Sequence, residues 1–505
     1  MSRAFYFVLL LLVFLVVQTL PAAARDRAAS EMVRNPMLSS DQIRALRLDG
    51  SQQTGTEPVL QAIYRGGNGG KLRVLAAGDY GAWEEAEGFN IFDYRLRRIF
   101  VLDSRQQRFF NRSMYAEVHF ALTGMRERVL TLKSLQQKGK DPAEILSPDR
   151  FDPFWMATTT GIPYGRSEYG GAQREDLTEG GFTLTYKGEI VLRFEPSSQP
   201  FPAPLIEAFY RTIERGIALP PAAVLAMIET GRLPQKLQSK YWDIEAKRFM
   251  TGEFSLQSAE ILQADYPLPA GWLAGQDMAA PDYFKQQFLP LMHGALVFPD
   301  KASRRGFAQY RKTIDAAMQH DAKFDALLLL HEALLTQQIP CPGNDDACGY
   351  VRAIVQRTAD DPAVQLLTKA SQLAKQNKPH QAINTLLQIS RDGLSAGHVI
   401  DIYHANYASE LLLAADILTP EQVRDIEGRI VAGYRAGMRG NAWIARLYQD
   451  IGDFLLYQNQ SYAGWQAWDI GRSLFDGEAK DMMRKADEAE ALLLKMAPWK
   501  FGLRN

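Results

Sequence analysis

The sequence predicts an α+β protein in two parts: an N-terminal antiparallel-sheet domain with helices, followed by a C-terminal all-α domain. Three observations carry this. Apolar residues alternate with polar ones in Phe92–Phe120 and Phe182–Pro196, the period of half-buried strands. From Tyr283 onward the apolar spacing is helical, with turn residues at regular intervals. Between the two lies a stretch, 251–282, whose second half is rich in Pro, Gly and Ala.

The chain opens on MSRAFYFVLLLLVFLVVQTLPAAARDR. Arg3 precedes an unbroken apolar run from Ala4 to Val17, and Ala22-Ala23-Ala24 follow Pro21. A basic start, a short apolar run and small residues at a cut site make a secretory signal peptide, residues 1–24, cleaved after Ala24. The run is short of the roughly 20 residues that span a bilayer. Retention as an uncleaved anchor is the alternative. No cysteine follows the run, which argues against a lipid anchor. The expected location is the periplasm or the exterior, with the membrane touched only through the leader before cleavage.

Residues 25–60 are polar and weakly periodic, and "DGSQQTGTEP" (Asp49–Pro58) reads as loop, so a flexible N-terminal segment is expected. Residues 61–250 form the mixed sheet domain. Phe92, Tyr94, Leu96, Phe100 and Leu102 share one parity, with a turn at Asp103-Ser104-Arg105, and Met114, Ala116, Val118 and Phe120 extend the strand pattern. A helix is expected over Met125–Gln137. Phe182–Pro196 reads as a hairpin turning at Lys187-Gly188, where glycine tolerates positive φ. Leu205, Phe209 and Ile213 then mark a helix over Pro204–Ile217. Residues 251–282 read as a linker.

Residues 283–505 are the helical domain. Helices are expected over Asp300–His320, from a cap at Asp321 to about Gln338, and over Cys348–Arg357, followed by antiparallel pairs. Thr419-Pro420-Glu421 is an N-cap signature. "DALLLLHEALL" (Asp325–Leu335) is too short to cross a membrane and carries His331 and Glu332.

The only two cysteines, Cys341 and Cys348, flank the turn formers Pro342, Gly343, Asn344 and Asp345. In an exported chain these imply a disulfide staple on a loop between helices. The spacing rules out a CxxC redox site, and no further ligands sit at zinc spacing. Calcium binding by Asp345-Asp346 lacks the EF-hand pattern.

In Tyr448–Gly471, Tyr448, Ile451, Gly452 and Leu455 share one helix face, and Gly464, Trp468 and Gly471 share the next. Small residues at 452 and 464 let the two helices approach, with Trp468 beside them. This pattern resembles the tetratricopeptide repeat, including its twelve-residue gap between the small positions. Gly464 replaces the usual alanine, and Asp476 stands near the expected proline. A weaker copy runs through Leu366, Ala370, Leu373, Ala382 and Leu386, with Lys369 in place of a large residue. The two copies are out of register with a 34-residue period, so Ala396–Gly440 is expected to be an irregular helix pair. The resemblance, over about residues 363–476, implies stacked helix pairs and a groove for a peptide or protein. An ordinary helical bundle is the alternative.

Chemical motifs are sparse. "RGGNGGKLRV" (Arg65–Val74) is one residue short of a phosphate loop, and Leu72 follows Lys71 where Ser or Thr is needed. It reads as a glycine-rich loop before a strand. "GRSEYG" (Gly165–Gly170) is too long for a nucleophile elbow. His331-Glu332 has no second histidine at zincin spacing, so His331 reads as a core or capping histidine. His398 and His404 fall on different helix faces. "WEEAEG" (Trp83–Gly88) has no identifiable partner acid.

Arg95, Arg97 and Arg98 begin an arginine-rich stretch that continues through Arg105, Arg108 and Arg112. A solvated strand face explains it; the sharper reading is an anion-binding site on Arg95, Arg97 and Arg98, because guanidinium forks grip phosphate and carboxylate. The long strands distantly resemble the half-barrels of periplasmic lipoprotein carriers, which implies an apolar face able to hold an acyl chain.

With 57 basic and 58 acidic residues the formal charge is −1, which argues against nucleic acid as the main partner. The hydrophobic fraction of 46% is ordinary for a folded chain, and the length exceeds one core. No cofactor is expected. The function expected is a non-enzymatic exported scaffold or binding protein. It would act on another exported or envelope protein, in envelope assembly, export or maturation. The alternatives are a hydrolase with its site between the domains, or a lipid or amphiphile carrier using the N-terminal sheet.

Overall fold

The structure is a computed structural model that describes residues 33–35, 38–48, 56–67, 69–85, 88–163, 171–243, 246–275, 304–336, 346–414, 418–475 and 480–502. The stretch read as a leader, residues 1–24, lies outside these. The chain divides into two compact units. One comprises residues 1–114, 124–275 and 498–505; the other comprises 115–123 and 276–497.

The first unit is built on one sheet. Its strands are β1 (Thr56–Gly66), β2 (Lys71–Ala76), β3 (Tyr80–Glu85), β4 (Gly88–Asp93), β5 (Arg98–Asp103), β6 (Arg108–Ser113), β7 (Gln173–Asp176), β8 (Phe182–Tyr186), β9 (Glu189–Pro200), β10 (Arg232–Asp243), β11 (Arg248–Asp265) and β12 (Leu273–Ala274). Their spatial order is β12-β6-β5-β4-β3-β2-β1-β11-β10-β9-β8-β7. Two meanders of sequential strands are thus joined at the centre by the antiparallel β1–β11 pair, and only β12 on β6 runs parallel. The β8–β9 hairpin turns where expected: Lys187 and Gly188 have φ of 49° and 82°, the left-handed pair that a two-residue hairpin turn requires.

Seven helices belong to this half of the sequence among the described residues: α1 (Ser40–Leu48), α2 (Met114–Gln137), α3 (Pro142–Ile145), α4 (Pro148–Phe151), α5 (Pro153–Thr160), α6 (Ala203–Gly216) and α7 (Pro221–Glu229). On one sheet face α1 places Ile43 in a core with Val59, Leu75, Ile91, Phe100 and Phe109. Its Arg47 lies between the rings of Tyr80 and Tyr266, 4.8 and 4.4 Å from their centroids. The same guanidinium donates to Asp93 at 2.6 Å and to Asp79 and Glu57. On the opposite face α6 packs on β1, β2 and β3. Gly81 leaves room for Thr212, and Gly216 for the Trp83 ring.

Four expectations are corrected here. Residues 25–60 are not uniformly flexible: α1 and the start of β1 fall inside them. Residues 251–265 are not linker but most of β11, an interior strand whose flank is composed like a linker. The residues after Ser113 do not continue the strand. Met114, Ala116 and Val118 begin α2, because a short apolar run fits both periods. Finally, β4 ends at Asp93, so Tyr94–Arg97 is an extra turn, stapled by Asp93 Oδ1 accepting from Leu96 N at 2.7 Å.

The second unit is helical: α8 (Phe307–Gln319), α9 (Lys323–Leu335), α10 (Asp346–Thr358), α11 (Pro362–Lys375), α12 (Pro379–Leu386), α13 (His398–Ala414), α14 (Pro420–Gly440), α15 (Ala445–Tyr457), α16 (Ser461–Leu474) and α17 (Lys480–Met496). Asp321 does not cap α9; it has φ of 56° at the end of α8, and Ala322 is the N-cap. The α9 leucines Leu327–Leu330 are buried in the unit's core.

The helices pack in antiparallel pairs, α8/α9, α11/α12, α13/α14 and α15/α16. Close approach is set by small residues. A Cβ at Gly452 would fall 2.2 Å from Trp468 Cδ1, and one at Gly464 would fall 3.0 Å from Gly452 O. In the earlier pair Ala370 and Ala382 are both fully buried. The segment between is a regular pair: Gly433, Gly437 and Gly440 of α14 abut Asp401, Ile402 and His398 of α13.

Candidate functional site

Within the helical unit, α12, α13 and α14 surround a partly open cavity of about 270 Å³. Its floor is apolar: Ile383 from α12, Ala408 and Leu411 from α13, Ile426 from α14 and Leu418 from the preceding loop. Its rim is polar: His380, Asn384, Gln422, Asp425 and Arg429. The positions follow from helical spacing. His380, Ile383 and Asn384 share one side of α12, and Leu387, on the same side one turn on, is 54% exposed.

Local chemistry fixes the rim. Pro379 starts α12 at the position where a missing N–H costs nothing. Thr419 and Gln422 form a reciprocal capping box at the start of α14. Gln422 N donates to Thr419 Oγ1 at 3.2 Å, and Thr419 N to Gln422 Oε1 at 2.9 Å. Arg429 Nε donates to Asp425 at 3.0 Å, and Asn384 meets His380 Nδ1 at 3.3 Å. An apolar floor under amides, an imidazole and one paired guanidinium suits binding. It brings no nucleophile and base together.

One turn before Ala408 on α13, His404 is buried, and among the described residues its Nε2 has no hydrogen-bond partner. Burial, then Arg391 and Arg429, hold its pKa below the usual histidine range. Glu332 anchors a separate buried cluster. It accepts from Tyr310 Oη at 2.8 Å and from Asn441 Nδ2, and its Oε2 lies 3.4 Å from His398 Nε2. Burial lowers the His398 pKa, partly offset by Glu332 and Asp401. The cluster ties α8, α9, α13 and the end of α14 together. His331 points elsewhere, its Nδ1 3.1 Å from Tyr403 Oη, and burial lowers its pKa to about 4. It is a core histidine, as its sequence context suggested.

His119 Nδ1 lies 2.9 Å from Ser461 Oγ. Burial lowers the His119 pKa, and among the described residues no carboxylate is hydrogen-bonded to this ring.

The arginine expectation divides. Arg98 belongs to β5, is buried, and donates from Nε to Asn111 Oδ1 at 2.7 Å. Arg95 and Arg97 lie in the extra turn, where Arg95 Nη1 donates to Arg47 O at 3.1 Å and Arg97 has φ of 56°. The strand alternation used to group them does not hold there. Glu84 of "WEEAEG" pairs with Arg73 at 3.0 Å. Gly66 and Gly70 close the β1–β2 loop, with Gly66 N donating to Gly70 O. "GRSEYG" lies outside the described residues. So does Cys341; Cys348 is buried in the first turn of α10.

Among the described residues, no group of three or more His, Cys, Asp or Glu is placed to hold a metal ion. No described helix is long and apolar enough to cross a membrane. Compared with known proteins, the chain matches no family model, no curated protein and no solved structure.

The pocket residues carried no sequence motif. The signal that marks them is the α12 stripe His380, Ile383, Asn384 and Leu387, where apolar side chains stay on a face that neighbouring helices leave partly open.

Proposed function

We propose that this is an exported, non-enzymatic binding protein that docks a segment of another exported or envelope protein in the cavity between α12, α13 and α14. One observation carries the reading: the apolar-floored, polar-rimmed cavity lies among the packed helices α12, α13 and α14 of the helical unit. Its volume, about 270 Å³, is at the bottom of the range for small-molecule sites. It suits one or two apolar side chains of a peptide used as anchors. The helix pairs with small residues at 370/382 and 452/464 support a tetratricopeptide-like architecture for residues 363–476. Export rests on the leader, and the Cys341–Cys348 staple on export.

The test is affinity capture from periplasmic extract with the mature chain, scored by mass spectrometry, against an Asn384→Trp variant. Asn384 is exposed on the rim, so the indole fills the cavity without disturbing the core. Loss of a captured protein from the variant alone supports docking here. Identical captures from both chains, or only a small molecule with each, would refute it.

A second reading, carriage of an amphiphile on the sheet, is favoured by β11. It is an interior strand, yet none of its residues is buried. Ile261, paired with buried Leu60 on the face that α6 covers at Tyr64, is 46% exposed. Leu256 and Phe254 continue that row. A fluorescent fatty acid should bind the mature chain and be lost from Ile261→Asp; no binding by the wild type rejects this reading.

A further inference from the structure

The last residues of the chain belong to the sheet unit, not to the helical unit that precedes them. Pro498–Phe501 form a single 3₁₀ turn in which Lys500 and Phe501 are buried. What they cover is unusual. Glu207, Arg211, Glu214 and Arg215 make a charged stripe along α6, the kind of face that ordinarily meets water. Here it meets the C-terminal turn. Arg211 Nη1 donates to Trp499 O, and Arg215 Nη2 donates to Lys500 O at 2.5 Å. Lys500 Nζ pairs with Glu214 at 3.0 Å, with side chains only 6% and 7% exposed. Arg215 also stands 5.1 Å from the ring centroid of Phe92, and Gly502 rests on Tyr94.

The two long faces of α6 therefore have different partners. Leu205, Phe209 and Ile213 are buried on the helix that packs on β1, β2 and β3, while the charged stripe is capped by the tail. We propose that the C-terminal turn is a latch that holds α6 closed on the sheet, and that releasing it uncovers the apolar sheet face beneath. A buried ion pair that loses one partner leaves an uncompensated charge, so the closed state depends on the whole set. The latch requires neither functional reading, and it would gate the sheet face whatever that face holds.

Hydrogen exchange with mass spectrometry tests it, on a chain ending at Ala497 and on full-length Lys500→Met. In both, amide protection over Ala203–Gly216 should fall at least tenfold, while Ala445–Leu474 changes less than twofold. The emission of an apolar dye, anilinonaphthalene sulfonate, should rise severalfold. If the shortened chain does not fold, full-length Lys500→Met decides. Unchanged α6 protection and unchanged dye emission in that variant would overturn the latch.

Discussion

His331 and Glu332 are neighbours in sequence and opposites in chemistry. Glu332 is held by Tyr310, Asn441, His398 and Arg305, whereas burial keeps His331 neutral with a pKa of about 4. A histidine depressed in the folded state contributes stability above its unfolded pKa. That contribution is lost as pH falls from about 6.5 toward 4, because only the unfolded chain takes up the proton. The full shift corresponds to about 3 kcal/mol. Asp450 acts in the opposite sense, since burial pushes it up to about 6 against the pull of Arg446. Comparing variants separates the two. In urea unfolding, His331→Gln should lose about 2–3 kcal/mol less than the wild type between pH 7 and pH 4.5. Equal losses would mean that His331 is not the group responsible.

Two glycines make a matched pair at the same scale. Gly452→Ala drives a methyl into Trp468 and should cost about 1–3 kcal/mol. Gly428, inside α14, has nothing within 4 Å of an added Cβ, so Gly428→Ala should stabilise by about 0.5–1 kcal/mol. Thermal melts of the two variants should therefore move in opposite directions. The small positions 452 and 464 were readable in advance, because steric demand at a helix crossing is local. Arg98 was not, because its partner Asn111 sits on the next strand.

Elements with strong end signals were read well. The α14 start at Thr419-Pro420 is a capping box, and Thr419→Ala should lower stability by about 1 kcal/mol in chemical denaturation. The same change frees Gln422 at the cavity rim, so it should also weaken partner capture; unchanged capture would separate the cap from the site. The β8–β9 hairpin and α6 were equally legible from period and turn chemistry. Elements whose burial comes from distant partners were misread. β11 alternates polar and apolar residues as a strand should, but its flanks are composed like a linker, and β1, its pairing partner, lies nearly two hundred residues earlier. α2 was read partly as strand because its first residues, Met114, Ala116 and Val118, are buried and their short apolar run fits both periods.

For the whole molecule, export and the staple stand together. The mature chain should begin at Arg25 by N-terminal sequencing and show no reactive thiol before reduction. Cys348→Ser should then cost about 2–3 kcal/mol, the entropy of one short closed loop. A chain beginning at Met1 with two free thiols would remove both. The sequence by itself determined the order of a sheet half and a helical half, and the small residues that set helix crossings. Each of these depends on neighbours within a few turns or on composition alone. Only the tertiary structure decided that β1 closes on β11, that three helices leave a cavity, and that the final residues clamp α6. Those depend on segments brought together over hundreds of residues, and no local period in the chain encodes which distant surfaces will meet.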